Sequence, residues 1–302
     1  MATSVLITGA SGLVGTRLTE MLVQKGYQVS HLGRSKKSGQ VPSFVWDVDQ
    51  GKMDTEAIRG VDSIIHLAGT GVAEKRWTSK RKEEILDSRT QSCALLFETL
   101  KKSNHHVKSL VSASAIGYYG YGLGKELLVE ESRPGNDFLS QVVVDWENAI
   151  EPVASIGIRL VKIRIGIVLS ERGGALVEMA RPVQWGIGSP LGTGRQMVSW
   201  IHLDDLCGMF VHAIENGQMS GVYNGVAPHP VTNKEITKGI AIILHRPLWA
   251  PAVPGLVLKI VVGEMAEIVL NGAAVSSEKI QKAGYEFQFT ELGKALNNLL
   301  GG

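Results

Sequence analysis

Tyr121 and Lys125 lie four residues apart, and a tyrosine beside a lysine can transfer a proton to or from a substrate oxygen. The two side chains meet only if the stretch is helical, because residues i and i+4 share one face of an α-helix. Two of the three residues between them are glycines, and each glycine costs a helix interior about 1 kcal/mol relative to alanine. The stretch is therefore predicted to be a loop, and the residues that do chemistry must lie elsewhere.

Three glycines near the start of the chain, Gly9, Gly12 and Gly15, have the spacing of a phosphate-binding loop. They follow a predicted strand and open a predicted helix, as a dinucleotide-binding turn requires. Gly9 permits a tight turn, Gly12 lets the backbone approach a diphosphate at the helix N-terminus, and Gly15 lets the helix pack closely on the strand. The neighbouring residues assigned to the same site are Ser11, Leu13 and Val14. A glycine-rich turn without a ligand is the alternative interpretation.

The end of the second predicted strand indicates which dinucleotide this loop binds. NAD-binding proteins place a carboxylate about 20 positions after the loop, where it binds the adenosine ribose. This chain has Gly33 and Arg34 there, and a guanidinium suits the 2′-phosphate of NADP. The sequence therefore favours NADP as the cofactor, with a solvated basic loop as the alternative. Asp47, which follows the third strand, is assigned to the adenine amine.

Further cofactor-binding residues are expected where later strands end, because open α/β sheets bind ligands at the carboxyl edge. The sequence His-Leu-Ala-Gly at 66–69 offers small residues along which a cofactor can lie, and His66 is expected to be buried with a structural hydrogen bond. The residues assigned to the cofactor site on these grounds are Leu67, Ala68, Gly69, Ser112, Ile165 and Gly166.

Short β-branched runs alternate with longer amphipathic stretches through the first two-thirds of the chain, which is the pattern of repeated βαβ units. The sequence thus predicts an α/β fold, with a Rossmann-type doubly wound parallel sheet and a smaller C-terminal substrate lobe. Residues 1–165 are predicted to form the NADP-binding core, to which the chain returns at about 197–230. Residues 166–302 are predicted to form mainly the substrate lobe and the C-terminal helices. The predicted helices include Leu13–Lys25, Ser79–Lys102, Phe138–Ala154, Asp204–Glu215 and one that follows a capping box at Thr232 and Glu235.

The composition excludes several classes of function. Of the 302 residues, 20% are charged and 44% are hydrophobic, which is typical of a globular protein. The formal net charge is +2 and no long basic run is present, so we expect a small-molecule substrate and no nucleic-acid partner. Cys93 and Cys207 fall in helical patterns and no signal peptide is evident, so a cytoplasmic protein with free thiols is expected.

The most hydrophobic stretch of the chain is Val253–Leu270. It is interrupted by Lys259, Glu264 and Glu267, whereas a membrane span needs about 20 mostly uncharged residues. We therefore expect no membrane association, and interpret the stretch as a packed helix or a surface for a partner. A homo-oligomer is compatible with this interpretation.

Four motifs give the chain a resemblance to the short-chain dehydrogenase/reductase superfamily in its extended, epimerase-like form. They are TGASGLVG at 8–15, HLAG at 66–69, VSASAIGYYG at 111–120 and SWIHLDDL at 199–206. Other stretches resemble the atypical branch of epimerase family proteins, some members of which carried an old cell-division-inhibitor label. These stretches are RWTSKRKEEILDSR at 76–89, DFLSQVVVDWENA at 137–149, GGAL at 173–176, NGVAPHPVTNKE at 224–235 and GEMAEIVLNG at 263–272.

The resemblance implies a serine or threonine at the end of the fifth strand and a Tyr-x-x-x-Lys pair on the following long helix. Ser114 matches the first position. On the helix, Phe138 or Leu139 stands where the tyrosine belongs, and a valine at 142 or 143 stands where the lysine belongs. The usual proton-transfer pair is therefore absent.

Tyr118 keeps the family spacing from Ser114, and we assign Ser114 and Tyr118 as the catalytic pair. In the alternative, Ser114 only binds a ligand and Tyr118 is a packed aromatic residue.

The residues assigned to the substrate are Trp77, Tyr119, Arg195, Gln196 and Trp200. Arg195 and Gln196 could contact a polar or anionic substrate, and the two tryptophans could stack on a ring, although each is equally suited to a core position. In similar sugar-nucleotide enzymes an arginine at the start of this strand binds the pyrophosphate, but Val198 stands there. A nucleotide sugar is therefore less strongly indicated than a small polar substrate.

His202, Asp204 and Asp205 have the residue types of a metal site, but the family context makes them a helix start, where acidic residues are favourable. No metal is expected. Two functions remain open: an NADP-dependent oxidoreductase or epimerase with a modified proton-transfer group, or an NADP(H)-binding sensor that presents a surface to a partner and catalyses no reaction.

Overall fold

The central strands are rich in valine, isoleucine and leucine because helices on both sides of the sheet bury both faces of each strand. The computed structural model describes residues 3–36, 38–120 and 126–301, so the predicted loop at Tyr121–Lys125 lies outside the described residues. In chain order the strands are β1 (Ser4–Thr8), β2 (Gln28–Gly33), β3 (Ser43–Asp47), β4 (Lys52–Met53), β5 (Ser63–His66), β6 (Ser109–Ala115), β7 (Leu127–Leu128), β8 (Arg159–Ile165), β9 (Ile167–Leu169), β10 (Met197–Val198), β11 (Trp200–His202), β12 (Gly221–Gly225), β13 (Val231–Thr232) and β14 (Ala274–Val275).

Among the described residues, eight strands form one sheet in the order β12-β8-β6-β5-β1-β2-β3-β4. All neighbouring pairs are parallel except β3 and β4 at one edge. The chain builds outward from β1 to β3 and then returns to the other side of β1 at β5. This reversal confirms the predicted doubly wound α/β fold and places a crevice at the carboxyl ends of β1 and β5, where such sheets bind ligands.

Helices cover both faces of this sheet: α1 packs against α5, and α2 packs against α3. In chain order they are α1 (Leu13–Gln24), α2 (Ser79–Lys102), α3 (Phe138–Ile150), α4 (Ala175–Gln184), α5 (Leu203–Glu215), α6 (Asn233–Ile243), α7 (Gly255–Val262), α8 (Ala266–Leu270), α9 (Glu278–Lys282) and α10 (Leu292–Leu300). The predicted capping box is confirmed, because the Thr232 side chain accepts from the Glu235 amide and the Glu235 side chain accepts from the Thr232 amide. Of the described helices, none combines the length and apolar composition that a membrane crossing requires.

Two predicted helices are shorter than expected. α3 gives way to a 3₁₀ helix at Glu151–Ile156, which contains Pro152 near its start. The apolar stretch after Pro254 is interrupted at Gly263, where φ is 66°, and therefore forms the short helices α7 and α8 with a 3₁₀ turn between them. A left-handed residue ends α7 because it cannot continue a right-handed helix.

The C-terminal part of the chain has a second apolar cluster beside that of the large sheet. α4, α6 and α10 pack together around it. Its fully buried members include Leu169, Leu176, Trp200, Ile236 and Leu296.

Candidate cofactor and substrate site

The loop between β1 and α1 contains two glycines at which a side chain would clash with the backbone, and a third at which it would not. Gly9 has a φ of 68°, and a Cβ there would lie 2.8 Å from the carbonyl carbon of Leu67. A Cβ on Gly15 would lie 2.5 Å from the Gly9 carbonyl oxygen, so α1 approaches the loop too closely for any side chain. At Gly12 the nearest such atom is 3.5 Å away, and Gly12 is exposed. This cradle fits a diphosphate that contacts the backbone at Gly12.

The N-terminus of α1 adds favourable electrostatics. Gly12 is the N-cap and cannot supply a capping side chain, and the first turn of α1 contains no acidic residue. The first amide groups of a helix, here beginning with Leu13 and Val14, lack intrahelical acceptors and carry the positive end of the helix dipole. Because Ser11 and Gly12 are exposed, these amides are open to an anionic ligand.

Arg34 lies beside this loop, since β2 pairs with β1 and Leu32 lies opposite Thr8. Gly33 ends β2 and Arg34 follows with an exposed side chain. Asp47 ends β3, and its Oδ1 accepts a hydrogen bond from the Gln50 amide at 3.0 Å. Asp47 therefore already stabilises a turn with one of its two carboxylate oxygens.

A buried threonine holds the segment after β5 against the glycine loop. Thr8 Oγ1 accepts hydrogen bonds from the amides of Leu67 and Ala68 at 3.1 and 3.2 Å and lies 2.8 Å from His66 Nδ1. Burial lowers the pKa of His66 to about 4, so its imidazole is neutral at pH 7. His66 is thus a structural residue of this edge.

Arg89, on α2, is a candidate ligand-binding residue that the sequence analysis did not identify. A Cβ on Gly69 would lie 3.3 Å from Arg89 Cζ, and the guanidinium lies over the Trp146 ring at 5.0 Å. Nη1 donates to the Ile85 carbonyl at 2.9 Å, but the described residues place no carboxylate within ion-pair distance of Arg89. Burial and the charge of Arg81 lower the pKa of Arg89 to about 10. A cation without an anionic partner at the carboxyl edge suits an anionic or carbonyl-bearing ligand.

Ser114 lies at the carboxyl end of β6, where it is 2% exposed. Its hydroxyl donates to Glu147 Oε1 at 2.6 Å. Glu147 in turn forms a two-point ion pair with Arg164, with Nε to Oε1 at 2.8 Å and Nη2 to Oε2 at 2.9 Å. The predicted catalytic serine is therefore hydrogen-bonded to a buried ion pair.

Tyr118 and Tyr119 follow β6 in a short 3₁₀ helix and have different environments. The Tyr118 ring is half-buried and lies face-on to the Arg164 guanidinium, with Cζ 3.3 Å from the ring centroid. Within the described part of the chain, no hydrogen bond joins Tyr118 to Ser114. Tyr119 is fully buried, its hydroxyl donates to Asn224 Oδ1 at 2.7 Å, and burial raises its pKa to about 12. The structure gives Tyr119 a packing role instead of the substrate contact that the sequence suggested.

The remaining residues assigned to the cofactor lie on strands at the same edge. Ser112 is fully buried and its hydroxyl donates to the Ala113 carbonyl at 2.9 Å. Ile165 ends β8, and the Gly166 amide donates to the Gly225 carbonyl at 3.0 Å. A Cβ on Gly166 would lie 2.4 Å from the Ser199 carbonyl oxygen, so this glycine permits close packing of two backbones.

The residues assigned to the substrate have different environments. Trp77 is half-buried, contacts the Phe138 ring edge-on at 5.1 Å and donates to the Val72 carbonyl. Trp200 is fully buried and donates to the His229 carbonyl at 3.0 Å, so it takes the core position that the sequence left open. Arg195 is exposed.

Gln196 has an orientation that its hydrogen bonds determine. Its Nε2 donates to the carbonyls of Leu191 and Val269 at 3.0 and 2.9 Å. Its Oε1 is buried and has no partner among residues 3–36, 38–120 and 126–301. An amide oxygen left in this way can accept a hydrogen bond from a donor group of a ligand or from water.

The His202 segment forms a helix start, as the sequence predicts. His202 Nδ1 accepts from the Asp204 amide at 3.0 Å, and Asp204 forms an ion pair with Arg17 at 2.6 Å. Asp205 is fully buried and accepts from the amides of Gln288 and Phe289. In the described residues, no group of three or more histidine, cysteine or acidic side chains is placed to hold a metal ion.

Comparison with known proteins agrees with this arrangement. Residues 5–224 match the NAD dependent epimerase/dehydratase family, and residues 253–299 match a domain of unknown function, DUF1731. The chain belongs to the NAD-dependent epimerase/dehydratase family. It is 34% identical to the epimerase family protein YfhF of Bacillus subtilis over 299 residues, which is 98% of each chain. It is 33% identical to the human epimerase family protein SDR39U1 over 301 residues, which is 98% of this chain and 99% of the human protein.

Two solved structures of family members share this fold. Human SDR39U1, crystallised with NADPH, has a TM-score of 0.89 and 32% identity, with 99% of both chains covered. A nucleoside-diphosphate sugar epimerase from Corynebacterium glutamicum has a TM-score of 0.82 and 32% identity, with all of this chain but 59% of that chain covered. The resemblance inferred from the motifs is therefore confirmed at the level of the family.

The face of α3 on which the motif resemblance implies a tyrosine and a lysine is lined by apolar side chains. Leu139 and Val143 approach Gly117, where a Cβ would lie 3.8 Å from each side chain. Phe138 contacts Trp77, and Val142 is buried. Apolar side chains thus occupy the helix face on which the motif resemblance implies a tyrosine and a lysine.

Proposed function

We propose that the chain binds NADP(H) and acts as an oxidoreductase or epimerase on a small polar or sugar-like substrate, without a Tyr-x-x-x-Lys pair. The observation that carries this proposal is the glycine loop at the N-terminus of α1 with Arg34, instead of a carboxylate, at the adjacent strand end. In the same proposal, residues 1–165 with the returning segment at about 197–230 form the cofactor-binding core, and 166–302 form mainly the substrate lobe.

Three groups would hold the cofactor. The amides that begin α1 would bind the diphosphate, Arg34 would bind the 2′-phosphate, and Arg89 would bind a polar or anionic group beside Gly69. The NADPH named for the human relative supports this choice of dinucleotide. When bound, NADP(H) accepts or supplies a hydride, and the protein must hold or move the accompanying proton.

Ser114 and Tyr118 are the proposed substrate-facing groups, because they lie at the carboxyl edge beside the apolar face of α3. Ser114 would contact a polar group of the substrate, and Tyr118 is the proposed proton carrier. The sugar-nucleotide epimerase among the relatives supports a sugar-like substrate. Val198, where similar enzymes bind a pyrophosphate with arginine, favours a substrate without a nucleotide diphosphate.

Replacing Arg34 by alanine tests the cofactor assignment. Isothermal titration calorimetry would measure the affinity for NADPH and NADH in the native protein, in Arg34→Ala and in Arg59→Ala as a control. Arg59 is exposed and paired with Glu56. It lies near Ser4 and Gln28 at the amino-terminal ends of β1 and β2, whereas the glycine loop lies at the carboxyl end of β1. We expect Arg34→Ala to weaken NADPH about 10- to 100-fold, the value of a charge-assisted hydrogen bond, and to leave NADH within about threefold. An unchanged preference for NADPH over NADH would end the assignment.

A non-catalytic NADP(H) sensor is the second candidate, and the surface of α7 favours it. Leu256 is 72% exposed and Ile260 is 69% exposed, which leaves an apolar helix face open to a partner or a second copy of the chain. Mixing the protein with NADPH and a broad panel of carbonyl compounds, and following the absorbance of NADPH, separates the two functions. If the absorbance of NADPH stayed constant with every compound while the protein still bound NADPH, the sensor would be favoured. Cytoplasmic location and homo-oligomer formation remain predictions.

A further inference from the structure

Six polar side chains form a buried network at the carboxyl ends of β6, β8 and β12. Each is 8% exposed or less, and we call them the Ser114 network. Its members are Ser114, Tyr119, Glu130, Glu147, Arg164 and Asn224. The chain segments that supply them are far apart in sequence, so the network joins β6, α3, β8 and β12.

The hydrogen bond between Ser114 and Glu147 can have only one direction. Arg164 has donors and no acceptor, and it bonds both oxygens of Glu147 at 2.8 and 2.9 Å. Both Glu147 oxygens are therefore acceptors, and the Ser114 hydroxyl, 2.6 Å from Oε1, must donate. Ser114 has a single proton, so the part of its oxygen that remains for a ligand consists of lone pairs.

The rest of the network prevents the ion pair from releasing Ser114. Arg164 Nη1 donates to Tyr119 Oη and to the Glu130 carbonyl, both at 3.1 Å, so the guanidinium is fixed on two sides. The Tyr119 hydroxyl donates to Asn224 Oδ1, and the backbone amide of Asn224 donates to Glu130 Oε1. Turning the Ser114 proton toward a ligand would leave Glu147 with one fewer donor in a buried site, where no solvent replaces it.

We propose that Glu147 is a positioning residue that fixes Ser114 as a hydrogen-bond acceptor, so that the ligand group contacting Ser114 is a donor: the hydroxyl of an alcohol or sugar, and not a carbonyl oxygen. This inference rests on the proposed function only in placing Ser114 at the substrate. It assigns a chemical class to that contact, and it gives Glu147 a role that the sequence did not suggest.

Matched pairs of alcohols and carbonyl compounds test the proposal. The pairs are glycerol with dihydroxyacetone, sorbitol with fructose, and cyclohexanol with cyclohexanone. Dissociation constants would be measured by saturation-transfer NMR on the protein loaded with NADP⁺, for the native chain, Ser114→Ala, Glu147→Gln and Ser63→Ala. Ser63→Ala is the control, because Ser63 is a buried serine on β5 whose hydroxyl bonds Ser109 away from the site.

In the native protein we expect at least one alcohol to bind about tenfold or more tightly than its carbonyl partner, since only the alcohol can donate to Ser114. Ser114→Ala should reduce this preference to about threefold or less, and Ser63→Ala should leave it unchanged. In Glu147→Gln the side-chain amide can donate to Ser114 and free its proton, so the preference should fall or invert. This change of ratio is a result that a merely structural role of Glu147 would not produce.

Three results would overturn the proposal: carbonyl members that bind as tightly as alcohols, absence of any alcohol binding that depends on Ser114, or an unchanged ratio in folded Glu147→Gln. If Glu147→Gln does not fold, Glu147→Asp replaces it, because the shorter side chain withdraws the carboxylate from Ser114 and should also reduce the preference. Calorimetry with NADPH on the native protein distinguishes failure of the proposed function from failure of this inference. If NADPH does not bind, the proposed function fails. If NADPH binds but alcohols are not preferred over carbonyl compounds, only the role of Glu147 fails.

Discussion

At the scale of single residues, Arg89 is the position where the three-dimensional structure adds most to the sequence. It lies in the middle of an amphipathic helix, where an arginine usually faces solvent and carries no local signal of function. Only the fold brings its guanidinium against Gly69 and over Trp146, where the described part of the chain supplies no carboxylate within ion-pair distance. By contrast, the glycines at 9, 12 and 15 were recognised from sequence because their spacing is local.

Replacing Arg89 by methionine should weaken cofactor binding, since methionine keeps much of the packing but removes the charge. We expect the dissociation constant for NADPH to rise about 10- to 100-fold, the value of a lost hydrogen bond from a charged donor. Because Arg89 lies beside β5, and Arg34 follows β2 on the other side of β1, the rise should be the same for NADPH and NADH. Calorimetry with Arg59→Met as the control measures this, and an NADPH affinity within twofold of native would contradict the assignment.

At the scale of elements, the β1–loop–α1 unit allows packing and ligand binding to be separated by two alanine substitutions. A Cβ on Gly12 meets nothing closer than 3.5 Å, so Gly12→Ala should cost about 1 kcal/mol or less in the free energy of unfolding. The same Cβ would occupy the surface where the diphosphate binds, so NADPH affinity should fall about tenfold or more. Gly15→Ala should instead destabilise the fold by several kcal/mol, because its Cβ would lie 2.5 Å from Gly9 O.

Urea unfolding and NADPH titration of both variants check this prediction, with Gly26→Ser as a matched control. Gly26 has a left-handed φ of 84° but open space around its Cβ position, so its substitution should lower stability through the backbone alone and leave NADPH affinity unchanged. If Gly12→Ala and Gly15→Ala lowered the free energy of unfolding equally, the prediction that Gly12 has room for a side chain would be wrong.

The elements themselves were predictable to different degrees. α2 runs from Ser79 to Lys102 as predicted, because Thr78 caps its start with a hydrogen bond to the Arg81 amide. The apolar stretch after Pro254 was predicted as one helix but breaks at Gly263, since the hydrophobic pattern alone does not show which glycine adopts a left-handed conformation. The Glu147–Arg164 ion pair joins α3 to β8, and no local pattern in the sequence indicates such a long-range pair.

At the scale of the whole molecule, one buried carboxylate attaches the C-terminal segment to the helix that packs on α1. Asp205 Oδ1 accepts from the Gln288 backbone amide at 2.8 Å and Oδ2 accepts from the Phe289 backbone amide at 2.9 Å, while the Tyr285 hydroxyl donates to the Asp205 backbone carbonyl at 2.8 Å. Asp205 is fully buried, so its carboxylate depends on these protein donors. The segment that precedes α10 thus depends on a residue of the SWIHLDDL motif, whose sequence pattern indicates only a helix start.

Asp205→Asn should therefore loosen the C-terminal segment more than it affects the sheet. An asparagine has one acceptor oxygen, so one of the two backbone amides that bond the carboxylate would face an amide N–H and lose its partner, at a cost of about 2–4 kcal/mol. Asp204→Asn is the matched control, because Asp204 is partly exposed and pairs with Arg17 near the surface, where its loss should cost about 1 kcal/mol.

Hydrogen exchange would show the difference directly: the amides of 285–289 should exchange faster in Asp205→Asn and at the native rate in Asp204→Asn, while β1 and β5 stay protected in both. Faster exchange spread evenly over the sheet would mean that Asp205 stabilises the entire fold and does not specifically attach the C-terminal segment.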